Sequence, residues 1–170
     1  KAPLLQSHLD ARAERRARDP KLARYLDSLH GGDAQRGQQL FRTKNELECL
    51  RCHVAEGTEG GLIGPSLAGL SQRATRLEMI ESICDPNRRF AAGYQGTVVF
   101  RTDGTLVEGV LLEESDALIK MRTADGSVAE IPRAEIEGTK PGISSMPANL
   151  TDHISRHEMR DLIEYLATQK

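Results

Sequence analysis

Thr97-Val98-Val99-Phe100-Arg101 is followed by Asp103-Gly104 and then by a second strand-like run, Leu106 to Leu112. Short runs of β-branched and aromatic residues, separated by Asp-Gly at hairpin spacing, predict a β-hairpin. The pattern repeats, with Ala117 to Arg122 and Ser127 to Ile131 flanking Asp125-Gly126. A small antiparallel meander is expected, with Ala134 to Glu137 as a candidate further strand.

On both sides the period becomes helical. Thr75-Arg76-Leu77-Glu78 is a capping box with Leu77, Ile80 and Cys84 behind it, and Asp85-Pro86 stops that helix. Asp33 is a suitable N-cap for a helix through Phe41, with Leu40 and Phe41 inward. Ser7 to Leu29 reads as a helix interrupted at Asp19-Pro20 and closed by Gly31-Gly32. Beyond the meander the chain is loop-like from Pro141 through Met146-Pro147. A second capping box, Ser155-Arg156-His157-Glu158, then opens a helix with Met159, Leu162, Ile163 and Leu166 inward. The order helical, β, helical predicts a mostly α fold carrying a β insertion. The expected boundaries are an N-terminal helical linker at 1–30, a helical domain at 31–90 and 140–170, and the insertion at 91–139.

Cys49-Leu50-Arg51-Cys52-His53 is C-x-x-C-H, the haem-attachment signature. Two thiols at this spacing reach the two vinyl groups on one porphyrin edge, and the next residue turns its imidazole under the iron. The competing readings are a thiol redox pair and half of a zinc site. A redox C-x-x-C belongs at a helix N-terminus after a strand, whereas here the preceding segment is helical and polar. Zinc needs about four ligands, and neither Cys84 nor a remote His completes a pair at finger spacing. One covalent haem c on Cys49 and Cys52, with His53 as proximal ligand, is therefore the expectation. Gly64-Pro65-Ser66-Leu67 lies at a distance that returns the chain beneath His53, where the Pro65 carbonyl can accept from Nδ1.

Of the four methionines, Met79, Met121 and Met159 read as packing residues. Met146 stands in Ser144-Ser145-Met146-Pro147, an irregular loop before the final helix, and is the expected sixth ligand. A His/Met pair is the common arrangement in electron-transfer haem proteins. His153, His157, His8 and His30 are the competing ligands. An open sixth site would instead suit a gas or redox sensor, and a peroxidase would need a distal acid–base pair such as His153 or His157 with Glu158. Cys84, the odd thiol, reads as a buried small hydrophobe.

The bulk properties fit. In 170 residues hydrophobic side chains make up 38 % and aromatics 4 %, with no Trp, a lean supply that a large apolar cofactor would supplement. The formal net charge of −2, with acids and bases interspersed, gives no basic stripe for nucleic acid. The run Arg12 to Arg18 reads as a solvated helix surface. No stretch is apolar and long enough to span a membrane. No signal peptide is visible and the chain begins at Lys1, the pattern of a processed chain or an excised domain.

From Gly32-Asp33 through Cys49-Leu50-Arg51-Cys52-His53 to Gly64-Pro65-Ser66-Leu67 the chain resembles class I cytochrome c. More narrowly, Glu81-Ser82-Ile83-Cys84-Asp85-Pro86-Asn87, Gly93-Tyr94 and the two Asp-Gly hairpins are similar to a haem-binding cytochrome c domain with a β insertion. That domain is found at the C-terminus of β-propeller proteins related to sugar or sorbosone dehydrogenases. The resemblance covers about residues 31 to 170. It implies a cytochrome c fold interrupted between the haem motif and the axial Met, with Met146 at the matching place. It also implies a periplasmic or other extracytoplasmic location. The redox partner would be a separate protein or a fused dehydrogenase domain, and no bond-making chemistry would fall to this chain alone. Cys84 departs from the pattern, and no catalytic domain is present in this chain.

Overall fold

The computed structural model describes residues 5–7, 9–11, 13–14, 19–55, 57 and 59–170. His8 and most of the Arg12 to Arg18 run lie outside the described residues. The architecture is mixed, with 37 % helix and 20 % strand around a five-stranded antiparallel sheet. This corrects the expectation of a mostly α cytochrome c fold with a small β subdomain. The physical reason is twofold. Several helical segments close after a single turn, and the β region is a full sheet with an apolar core of its own.

Residues 5–7, 9–11 and 13–14 are helical, and from Pro20 onward the α-helices among the described residues are α1 (Pro20–Ala23), α2 (Ala34–Thr43), α3 (Cys49–Cys52), α4 (Leu70–Arg73), α5 (Arg76–Cys84) and α6 (Arg156–Leu166). Both capping boxes form: Thr75 and Ser155 each cap the N3 backbone amide while Glu78 and Glu158 reach back to the cap. Asp33 caps α2 through the amides of Gln35 and Arg36. α2 packs against α6 through Phe41 and Tyr165, whose rings lie 5.5 Å apart at 54°. The Asp161 carboxylate ties the two helices by accepting from Asp33 N (2.7 Å) and Arg36 Nε (2.8 Å). The Arg36 guanidinium holds that carboxyl below its usual range. Residues 19–29 join the same core, where Leu22, Tyr25 and Leu26 are buried. The Tyr25 hydroxyl donates toward the carbonyls of Thr151 (2.9 Å) and Ile154 (2.8 Å), so this buried polar tip is satisfied.

The sheet comprises β1 (Gly96–Arg101), β2 (Leu106–Glu114), β3 (Leu118–Arg122), β4 (Val128–Pro132) and β5 (Ile136–Pro141), in the order β4-β3-β2-β1-β5. The four expected runs are strands. The fifth begins at Ile136, after a 3₁₀ turn at Arg133–Glu135, and crosses to pair with β1. Val99, Ile119, Met121 and Ile131 form a core on one face of the sheet. Alternation puts Val98 and Val110 on the other face, where both are buried. On that same face Arg122, opposite Val110, donates from Nη1 to the Leu62 carbonyl at 2.7 Å. The sheet is thereby joined to the loop that follows the Cys49 segment.

Candidate haem site

The Cys49 segment is a single turn, α3, entered through Glu48 in a left-handed conformation (φ 45°, ψ 32°). That conformation is uncommon for a non-glycine residue and marks a constrained entry to the motif. After His53 the chain loops back beneath the turn. Gly61 N donates to Leu50 O (3.0 Å), Gly64 N to Cys52 O (2.8 Å) and Leu67 N to Val54 O (2.7 Å). This return brings Pro65 under the imidazole, and His53 Nδ1 lies 2.9 Å from the Pro65 carbonyl oxygen. A carbonyl can only accept, so Nδ1 carries the proton and Nε2 presents its lone pair. Burial lowers the His53 pKa, against a smaller upward effect of the Pro65 bond, so the ring favours the neutral form needed for ligation. Arg73 braces this loop from α4, donating from Nη1 to Ala68 O (2.5 Å) and from Nη2 to Ser66 O.

Cys49, Cys52, His53, Pro65 and Met146 all line one cavity of about 420 Å³. That volume lies in the range of roughly 300–1,000 Å³ usual for small-molecule and cofactor sites. Its walls are mostly apolar, including Phe41, Leu67, Ile83, Phe90, Leu150 and Leu162. Val110 of β2 adds a wall from the sheet, and Tyr94 one from the segment leading into β1. Burial pushes the Cys49 thiol up to about 11 and also raises Cys52. A dithiol redox pair needs the opposite shift, toward thiolate.

Met146 is half-buried and packs against the helical core from an irregular loop before the Leu150–Asp152 turn. Met121 and Met159 are fully buried in the sheet and helical cores. Met79, read as packing from sequence, is buried in the helical core and also reaches the cavity wall. His30, His153 and His157 are exposed and do not line the cavity. Cys84 is 1 % exposed in the helical core, away from the cavity wall, with its thiol pushed by burial to about 12. Among the described residues no group of three or more His, Cys, Asp or Glu side chains could hold a metal ion. The two thiols of Cys49 and Cys52 and the imidazole of His53 on a mostly apolar wall are a donor set that fits a flat apolar group. Gly64 shows how closely the site is built: a Cβ there would lie 2.5 Å from His53 Cε1.

Sequence reasoning missed Glu48, Arg73 and the Glu78–Arg89 ion pair on the wall. The Thr75 backbone amide, then Arg89, holds the Glu78 carboxyl down to about 2. Its stabilising effect is accordingly present above the ordinary carboxylate value of about 4.3 and is lost as pH falls toward about 2. Acid unfolding monitored by circular dichroism is expected to begin at higher pH in Arg89→Ala. Glu78→Gln, which keeps the capping box, should flatten the profile in that window.

The chain matches none of the protein-family models, and no curated protein is significantly similar to it. No helix among the described residues is long and apolar enough to cross a membrane.

Proposed function

We propose that this chain carries one covalent haem c and transfers electrons. The observation that supports the reading best is the gathering of both motif thiols, a pre-oriented neutral imidazole and a loop methionine on one apolar cavity. Bound there, haem would supply one-electron chemistry at its iron. Cys49 and Cys52 would hold it by thioether bonds, and His53 would ligate through Nε2 while Pro65 fixes the ring. Met146 would supply the second protein ligand to the iron. The apolar walls would exclude water, which favours a raised potential. Because covalent attachment at C-x-x-C-H normally takes place outside the cytoplasm, the working location is periplasmic or otherwise extracytoplasmic. The electrons would come from a dehydrogenase, fused or separate, and the chain itself would catalyse no bond-making step.

The visible spectrum tests this reading, recorded oxidised and reduced on protein from a host able to mature such centres. Sharp low-spin bands on reduction and a weak far-red band when oxidised are expected. The far-red band should vanish in Met146→Ala and persist in Met79→Ala. A high-spin spectrum would favour an open iron and a sensor. Absence of haem would overturn the proposal.

A further inference from the structure

We propose that Asn87 is a positioning residue for Met146, an inference that rests on the haem reading above. Met146 follows the sheet by only a few residues, in an irregular loop with exposed Ile143 and Ser145. Such a loop does not by itself aim a side chain. Two ties fix it. Gly142 N donates to Gly96 O at 2.7 Å, where the chain leaving the sheet crosses the chain entering it. The crossing is tight: a Cβ at Gly96 would lie 2.0 Å from the Ile143 carbonyl oxygen. Two residues on, Ser144 N donates to Asn87 Oδ1 at 2.8 Å, and the Ser144 hydroxyl accepts from Met146 N at 3.1 Å.

Asn87 is itself set by the end of α5. Its backbone amide donates to Asp85 Oδ1 at 3.2 Å, and Arg88 N donates to Asp85 O at 3.1 Å. α5 supplies Met79, Ser82 and Ile83 to the cavity wall. A short polar path therefore runs from a wall helix through Asn87 and Ser144 to the Met146 backbone. It spans 57 residues of sequence, closing the ends of the whole insertion beside the cavity. The ties that aim Met146 lie at the base of the sheet, where the chain enters and leaves it. Asn87 is exposed, so the path runs along the rim of the cavity, and only its last bond, from Met146 N to the Ser144 hydroxyl, is partly buried; it fixes a geometry that the loop alone leaves open.

The test uses the mature haem-loaded protein and reads the sixth site directly. In ferric Asn87→Ala, imidazole should displace the methionine with about tenfold higher affinity than in the unchanged protein. The far-red band should also be lost about one pH unit earlier on alkaline titration. Asn87→Asp, which keeps an acceptor oxygen at the same atom, should restore both readouts to within about twofold. Ser144→Ala, which keeps the backbone bond to Asn87 but removes the hydroxyl that accepts from Met146 N, should move them in the same direction. Asp103→Ala, in the β1–β2 turn at the end of β1 opposite Gly96 and off the cavity wall, should leave both unmoved even where it lowers thermal stability. The proposal is overturned if Asn87→Ala leaves imidazole affinity within twofold, or if Asp103→Ala moves it as far. Unchanged protein with haem but no far-red band would remove Met146 as ligand, and Asn87's role with it. Unchanged protein without haem would overturn the underlying reading as well.

Discussion

Replacing Cys49 and Cys52 together with Ala is expected to abolish covalent haem completely, so that acidified organic solvent extracts all the pigment from the variant and none from the unchanged protein. Both thiols stand on the cavity wall one helical turn apart, and burial raises the pKa of each. Each single replacement should leave one link, giving protein that still retains haem on a denaturing gel but with a shifted reduced band. His53 remains in the double variant, so the haem that does bind would be held by one imidazole and apolar contact alone. Cys84→Ala is the informative contrast. Cys84 is buried in the helical core away from the cavity wall, so its loss should cost about 1 kcal/mol or more of stability and leave the spectrum unchanged. Covalent pigment persisting without Cys49 and Cys52 would remove the haem assignment.

The parts of this molecule that were legible from sequence are those set by local chemistry. Cys49, Cys52 and His53 lie within five consecutive residues, one turn and its C-cap, and Pro65 is reached by a short return loop whose glycines announce it. Both capping boxes form as read, because Thr75 with Glu78 and Ser155 with Glu158 need no distant partner. The Asp103-Gly104 and Asp125-Gly126 turns likewise sit between antiparallel neighbours.

Nonlocal pairing was not legible. β5 leaves β4 and crosses to β1, a choice made by edge availability and burial that no window of sequence reports. The same limit explains the error in fold class. The span from Ser7 to Leu29 reads as one helix interrupted at Asp19-Pro20, yet the helix after that break, Pro20–Ala23, closes after one turn. The strands, each short, were read as a minor appendage, although together they make a sheet with a separate core. Asn87 was visible only as part of a resemblance. Its bond to Ser144, across the insertion, depends on where both ends of the sheet are brought.

Gly64→Ala should damage the site although it adds a single methyl group. The added Cβ would lie 2.5 Å from His53 Cε1, 2.8 Å from Nδ1 and 3.0 Å from Nε2, so it would press on the face of the ring. The backbone cannot retreat freely, because Gly64 N is bonded to Cys52 O at 2.8 Å. Nor can the ring, because movement gives up the 2.9 Å bond to Pro65 O and leaves a buried donor unpaired. Overpacking of this kind costs about 1–3 kcal/mol, and an unsatisfied buried group costs about 1–3 kcal/mol more if the bond is lost. A lowered melting temperature is therefore expected, together with a fall of about tenfold or more in the fraction of protein showing low-spin bands. Ser66→Ala, two residues away and exposed, should change neither by more than about 0.5 kcal/mol of stability or its spectral equivalent. Gly64→Ala protein with an unchanged low-spin spectrum would mean that the imidazole is not held as the Pro65 bond implies.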